Sequence, residues 1–389
     1  MAAGRVLEAR ARGVAVVAVC SALGRAPDPY ATDSLLALLG HAGAGRNRDF
    51  LVACGEMVAC GVFTHELIAC GADALALTGA QAGIVTDAEF GSAAILRIEP
   101  AAVQQVLARG AVPVVAGFQG ATEDGAITTL GRGGSDLSAI ALGAALGAEV
   151  VEIFTDVTGV MSGDPRRVVD AQPLARVHYA EMVELAADGA KIMHARAAEL
   201  AHVTRTPYVV KGLQANFGTT IDESGPSGDE APVTGIASLN DVALFRITAN
   251  AAVRDAQGVV ARTVFRRLAE CRISIDMVNL SDNGPSFIVA ARHVGAVRTE
   301  LDALGVRYIL RDGCAKLSIV GAGMRGVPGV VSLIVDALAD AGIDILHTTD
   351  SNITISVLVC AGDVAAAEQA LHGAFALARR DARIPEPVN

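Results

Sequence analysis

Tryptophan is absent from this chain of 389 residues, and aromatic side chains make up only 4% of it. Alanine and glycine fill the gap, a composition suited to helices packed closely on parallel sheets. Lysine is nearly missing: of 31 basic residues, only Lys191, Lys211 and Lys316 are lysines. No uninterrupted apolar run reaches the roughly 18 residues of a membrane span. The N-terminal run VAVVAV begins only at Val14 and has no cleavage site after it, so it is not read as a signal peptide. The seven cysteines are odd in number and never spaced CxxC. They read as reduced core residues, which points to the cytoplasm. His178, His194 and His347 stand apart without metal-ligand spacing, so no metal site is assigned to the protein. No Ser-His-Asp or Cys-His arrangement is legible. The net charge of −11 argues against a nucleic-acid partner.

What is present is a regular alternation of apolar runs and amphipathic stretches. VAVVAV (14–19), ADALALT (72–78), AVPVVAGF (111–118) and EVVEIFTD (149–156) read as buried parallel strands. Helical patterns separate them: SLLALLG, 49–70, EPAAVQQVLARG (99–110), 131–148 and HARAAELAHV (194–203). Such alternation predicts an α/β domain with a mostly parallel sheet covered on both faces. DESGPSGDEAP (222–232) is acidic and rich in Pro and Gly, and reads as a linker. Beyond it the sequence repeats. GVVARTVFRRLAECRISI begins at Gly258 and GVVSLIVDALADAGIDI at Gly329. Each is followed by a turn and a second strand, SFIVAA or ISVLVCA. A spacing of about 70 residues is too long for a solenoid and suits two ferredoxin-like β-α-β-β-α-β domains.

Three segments carry chemistry. TTLGRGGSD (128–136) sets Arg132, Ser135 and Asp136 among Gly131, Gly133 and Gly134 at the start of a helix. Helix-start amides and a guanidinium fork make an anion site; a plain capped turn is the alternative. FTDVTGVMSGDPR (154–166) leaves a strand end at Thr155-Asp156, where ligands of open α/β sheets bind; a long polar hairpin is the alternative. GAKIMH (189–194) adds the scarce Lys191 beside a glycine. With the Thr-Asp pair and an arginine it makes a nucleotide-phosphate site, and by itself it reads as a solvated surface lysine. Glu56, inside the apolar helical stretch VACGEMVA, needs a partner if buried. A substrate ammonium is one; a surface position on the helix is the bland reading.

GRGGSD, GFQG (117–120), TDVTGV-x4-DPR and GAKIMH, in this order, resemble the aspartate kinases of the amino acid kinase fold. SALGRAPDPYATDSLLALL and LTGAQAG are most similar to the diaminopimelate-sensitive type. The resemblance runs from about residue 3 to about residue 378. It implies a three-layer α/β kinase domain at 1–221, a linker at 222–232, ACT domains at 233–312 and 313–380, and a tail at 381–389. It also implies transfer of phosphoryl from ATP, with Mg2+, to the β-carboxylate of L-aspartate. By position, Ser21, Glu56, Phe118, Arg132, Gly133, Gly134 and Ser135 would hold aspartate. Thr155, Asp156, Met161, Asp164, Arg166, Lys191 and Ile192 would hold ATP, with Asp136 and Lys191 as catalytic groups. Ile275, Asp276 and Asn279, and Ile343, Asn352 and Ile353, fall where the family binds an amino-acid effector: lysine, threonine or diaminopimelate. ACT pairing implies a homodimer. The family opens on a strand and K-[FY]-G-G, and no such motif precedes Arg5. About 20 residues are therefore expected upstream of this start; the alternative is a non-catalytic, effector-binding homologue without the phosphate loop.

Overall fold

The computed structural model describes residues 1–40, 43, 45–189, 192–215, 217–225, 232–248, 259–281, 284–324 and 326–379. Lys191, residues 226–231 of the expected linker and the expected tail lie outside them. The chain divides into two compact units. One comprises Met1–Gly159, Arg176–Tyr179 and Lys191–Gly225; the other comprises Val160–Ala175, Ala180–Ala190 and Pro226–Asn389. The expected single boundary near 221 is therefore crossed twice, because 160–175 and 180–190 join the C-terminal unit.

The first unit runs α1 (Ala2–Ala11), β1 (Ala18–Cys20), α2 (Thr32–Ala37), α3 (Arg46–Val52), α4 (Cys54–Ala69), β2 (Ala74–Leu77), β3 (Ile84–Thr86) and β4 (Ile95–Ile98). It continues with α5 (Ala101–Ala108), β5 (Val112–Ala116), β6 (Gln119–Ala121), β7 (Ile127–Thr129), α6 (Gly134–Leu146), β8 (Val151–Thr155) and β9 (Arg176–His178). After α7 (Tyr179–Ala187), most of which belongs to the other unit, come α8 (Ala195–Thr204), β10 (Tyr208–Gly212) and β11 (Gly218–Asp222). Strands β1, β5 and β2 form a parallel sheet in that order. Alternation along β5 explains its two covers. Val112, Val114 and Ala116 pack with Ala3, Val6, Cys60 and Leu67 of α1 and α4, while Val115 packs with Val103, Val106 and Leu142 of α5 and α6. A sheet buried on both faces has no room for a polar face, which is why these strands read as unbroken apolar runs.

Two further sheets, β8-β10-β11-β9 and the mainly antiparallel β4-β3-β6-β7, complete the unit. Their three-residue strands were not read from the sequence, being too short to carry a period. One helical stretch among the described residues, Arg46–Ala69, is long and apolar enough to cross a membrane. It breaks at Ala53 into α3 and α4, buries the carboxylates of Asp49 and Glu56, and packs on β2 and β5, so it reads as a core element.

The second unit adds β12 (Gly235–Ile247), α9 (Val259–Glu270), β13 (Asp276–Ser281), β14 (Gly284–Ala290), α10 (Val294–Ala303) and β15 (Tyr308–Val320). It ends with α11 (Val330–Asp340), β16 (His347–Asp350), β17 (Thr354–Cys360) and α12 (Val364–Ala374). Its six strands follow the order β13-β14-β12-β15-β17-β16. The two central strands are long enough to serve both repeats. Val242–Arg246 of β12 pairs with β14, while Gly235–Leu239 pairs only with the far half of β15, beyond a register shift at 239–242. The first repeat thus has β12 as its first strand and β15 as its last, and the second repeat has them exchanged. Val233 and Ile236 accordingly lie in the core of the second repeat, with Leu317, Ile334 and Leu371. The tandem division expected at 312/313 falls inside β15, and the segment at 233–239 moves to the second repeat. The first repeat packs around Phe245, Phe265, Phe287 and Tyr308, whose rings contact one another.

Candidate active site

Strands β1 and β5 end side by side, and Gly117 donates its amide to Cys20 O at 2.9 Å. Ser21 leaves the first strand end, and Phe118 follows the second with a left-handed φ of 65°. A side chain rarely adopts that conformation without support; here the Phe118 amide is held by Ser138 Oγ of α6 at 3.0 Å. Helix α6 starts against this point. A Cβ on Gly134 would stand 2.7 Å from the Phe118 ring, so only glycine permits the approach. Gly133, with φ of 70°, is equally constrained by the His194 side chain.

Glu56 of α4 reaches the same place. Its Oε1 accepts the Ala22 amide at 3.2 Å, and its Oε2 is buried without a hydrogen-bond partner among the described residues. Burial pushes this carboxyl up to about 7 from an ordinary 4.5. Asp136, in the first turn of α6, is likewise pushed up to about 6 by burial, and a hydrogen bond from the His194 backbone opposes the shift. Arg132 is exposed and makes no side-chain hydrogen bond or ion pair among the described residues. Ser21, Glu56, Phe118 and the turn Gly131–Asp136 thus converge at the carboxyl ends of β1 and β5. An orphaned buried carboxylate oxygen, a free guanidinium and a helix start together suit a small zwitterion with a second carboxylate.

Two supports of this turn escaped sequence reading. Asp49 of α3 is fully buried, and its Oδ2 accepts the amides of Gly91 at 2.8 Å and Thr129 at 2.7 Å. Arg196 of α8 donates to Leu130 O at 2.7 Å and Ala93 O at 3.2 Å. Each residue acts across more than 40 residues of sequence, so no local signal marks it.

Thr155 and Asp156 line a cleft of about 470 Å³ with Val157, Thr158 and residues 212–215 at the ends of β8 and β10. That volume lies within the roughly 300–1,000 Å³ of small-molecule sites. Asp156 Oδ2 accepts from Arg25 Nη2 at 2.8 Å, a cation the sequence reading gave no role. Ile192 belongs to the same unit.

Met161, Asp164 and Arg166 lie in the other unit. The Arg166 guanidinium forks onto Asp164, with Nε at 2.9 Å and Nη2 at 2.7 Å, and holds that carboxyl below its usual range. The Arg166 guanidinium is exposed and also paired within its own turn. Of the expected effector residues, Asp276 and Asn279 lie on β13, and Asn352 is exposed in the turn before β17. Ile275 and Ile353 are half-buried. Ile343 is 6% exposed within the core of the second repeat, so its side chain serves packing.

The sequence pattern of the amino acid kinase family matches residues 2–212, and an ACT domain pattern matches residues 309–373. Aspartokinase 1 of Bacillus subtilis (strain 168) is 44% identical over 388 residues, covering 97% of this chain and 95% of that protein. The aspartokinase of Geobacillus stearothermophilus is 38% identical, covering 98% and 94%. Among solved structures, E. coli aspartokinase III in complex with aspartate and ADP superposes with a TM-score of 0.74 at 26% identity, over 88% of this chain and 79% of that one. The same enzyme in complex with lysine and aspartate superposes with a TM-score of 0.68 at 25% identity, over the same shares.

Proposed function

The chain belongs to the aspartokinases of the amino acid kinase family, and on that premise we propose how its own residues divide the reaction. It is a phosphotransferase that acts on L-aspartate with ATP and carries ACT regulatory domains. A β-carboxylate oxygen of aspartate attacks the terminal phosphorus of ATP, the bond to the bridging oxygen breaks, and ADP leaves as 4-phospho-L-aspartate forms. Such a transfer asks the protein mainly for positioning and charge stabilisation.

Glu56 takes the substrate ammonium on the free Oε2, which is the observation that carries this reading. Arg132 and the first amides of α6 take a carboxylate, with Ser21, Phe118 and Ser135 closing the pocket. Asp136 stands at the helix start as the second acid. The nucleotide is assigned to the cleft at Thr155, Asp156 and 212–215; Met161, Asp164, Arg166, Lys191 and Ile192 are proposed as further nucleotide residues from the family resemblance of their motifs. Mg2+ would accompany the nucleotide and supply charge neutralisation at the phosphates; the described residues hold no cluster of three or more His, Cys, Asp or Glu side chains that could hold a metal ion. Further parts of the proposal are a homodimer, an amino-acid effector at β13 and the turn before β17, and a cytoplasmic location, which seven free thiols support.

A coupled ADP-release assay tests the core of this. Release that depends on L-aspartate is expected, and release indifferent to aspartate would overturn it. Calorimetric titration with lysine, threonine and diaminopimelate, read together with the mass in solution, identifies the effector and the assembly.

A further inference from the structure

Lys316, one of three lysines in the chain, is 7% exposed in the middle of β15. A buried ammonium requires partners, and it has two. Nζ donates to Asp188 Oδ1 at 2.8 Å and to Asp276 Oδ2 at 2.7 Å. The two carboxylates have different settings. Asp188 is 5% exposed and follows the last turn of α7, while the Asp276 side chain is half-exposed at the start of β13. The Asp276 Oδ1 is also engaged, by the Met277 amide at 2.6 Å.

What Asp188 holds gives the pair its meaning. The next residue, Gly189, has φ of 109°, and its backbone lies so close to β12 that a Cβ there would stand 2.1 Å from Ser238 O. Lys191 follows two residues later in the sequence. At the other end of α7, the buried Glu181 accepts from Thr234 Oγ1 at 2.7 Å and from the Ala322 amide at 2.8 Å. The repeats therefore grip both ends of the segment that leads into Lys191, and Lys316 is the charged part of that grip.

We propose that Lys316 is a positioning residue for the phosphoryl transfer: through Asp188 it sets the Gly189 stem of the nucleotide-side segment, and through Asp276 it makes that setting answerable to β13. This rests on the reading of 189–192 as nucleotide-binding. The relay is electrostatic. Asp188 and Asp276 share one ammonium, which is buried on the Asp188 side and meets solvent on the Asp276 side, so a change in charge at Asp276 changes how firmly Asp188 is held. Glu184, one turn before Asp188, also faces the cluster; burial and Asp188 raise its carboxyl, and Lys316 lowers it.

The test uses the full chain, with ADP titrated calorimetrically and L-aspartate followed by its KM. Lys316→Met is expected to weaken ADP about tenfold while leaving aspartate within about twofold. Lys316→Arg, which keeps the charge, should recover ADP affinity to within about threefold. Because Lys316→Met strands a buried Asp188, the charge-neutral pair Lys316→Met/Asp188→Asn is measured as well. It should fold and keep the ADP defect. Asp276→Asn should shift ADP affinity about threefold in the Lys316 chain, and not at all in the neutral pair. Unchanged ADP affinity in the folded neutral pair, an equal loss for aspartate, or an Asp276→Asn effect that persists without Lys316 would each overturn the proposal. A chain that binds ADP but shows no aspartate-dependent turnover defeats the kinase reading and leaves this result standing.

Discussion

The turn Gly131–Asp136, which we propose holds aspartate, and the segments 160–175 and 180–189, which belong to the C-terminal unit, are supported by different means. The turn is braced inside its own unit: Asp49 holds the Thr129 amide, and Arg196 holds the Leu130 carbonyl. The other segments are braced by the C-terminal repeats. Ser162 Oγ meets His372 Nε2 at 2.8 Å, and Ser162 O accepts the Ile236 amide at 2.9 Å. Arg167 Nη1 donates to Ser238 Oγ at 2.6 Å and to the buried Glu368 at 3.0 Å. The difference is one of attachment: 160–175 and 180–190 belong to the same compact unit as the repeats, whereas the turn belongs to the unit that also holds the cleft at Thr155 and Asp156.

The largest test of that contrast is Arg132→Ala. Loss of the fork is expected to lower kcat/KM for aspartate by roughly 10²–10³ with ADP affinity unchanged by calorimetry. Equal loss on both sides would erase the distinction. Arg132→Lys should restore only part, since one ammonium cannot make the bidentate grip.

Glu56→Gln comes next and separates stability from activity. The folded chain raises this carboxyl from 4.5 to about 7, so it binds the proton more tightly than the unfolded chain does. Glu56 therefore favours the fold most below about pH 4.5, and that contribution is lost as pH rises to about 7, by roughly 3 kcal/mol in all. At pH 8 Glu56→Gln should melt higher than the unaltered chain and bind aspartate worse. The rise in aspartate kcat/KM through about pH 7 should vanish with it. A lower melting temperature at pH 8 would contradict the burial argument.

Gly189→Ala probes the other side. The clash with Ser238 O and the left-handed φ should cost about 1–3 kcal/mol and raise the KM for ATP while sparing that for aspartate. His372→Ala removes the hydrogen bond to Ser162, worth about 1 kcal/mol, and empties a buried side-chain site as well, read as a drop in melting temperature and a weaker response to ADP.

Much of the aspartate side was legible in the sequence, and less of the nucleotide side. Arg132 and Asp136 sit in a short motif whose glycines announce a tight turn after a strand, whereas Glu56 lies within α4 and reaches the same place through tertiary packing. The sequence shows Arg166 on an Asp-Pro-Arg turn but not that its guanidinium forks back onto Asp164 two residues earlier. Arg25 carried no signal, because its partner Asp156 is 131 positions away.

Local pattern by itself determined that buried strands alternate with helices in the first half and that a β-α-β-β-α-β unit repeats in the second. Period, capping and turn chemistry act over a few residues, so one sequence displays them. Only the tertiary structure decided that 233–239 completes the second repeat, that 160–175 and 180–190 leave the kinase half for the regulatory unit, and that Lys316 joins Asp188 to Asp276. Strand partners and buried ion pairs are chosen by which surfaces meet after the chain has turned back on itself, and no local period records that choice.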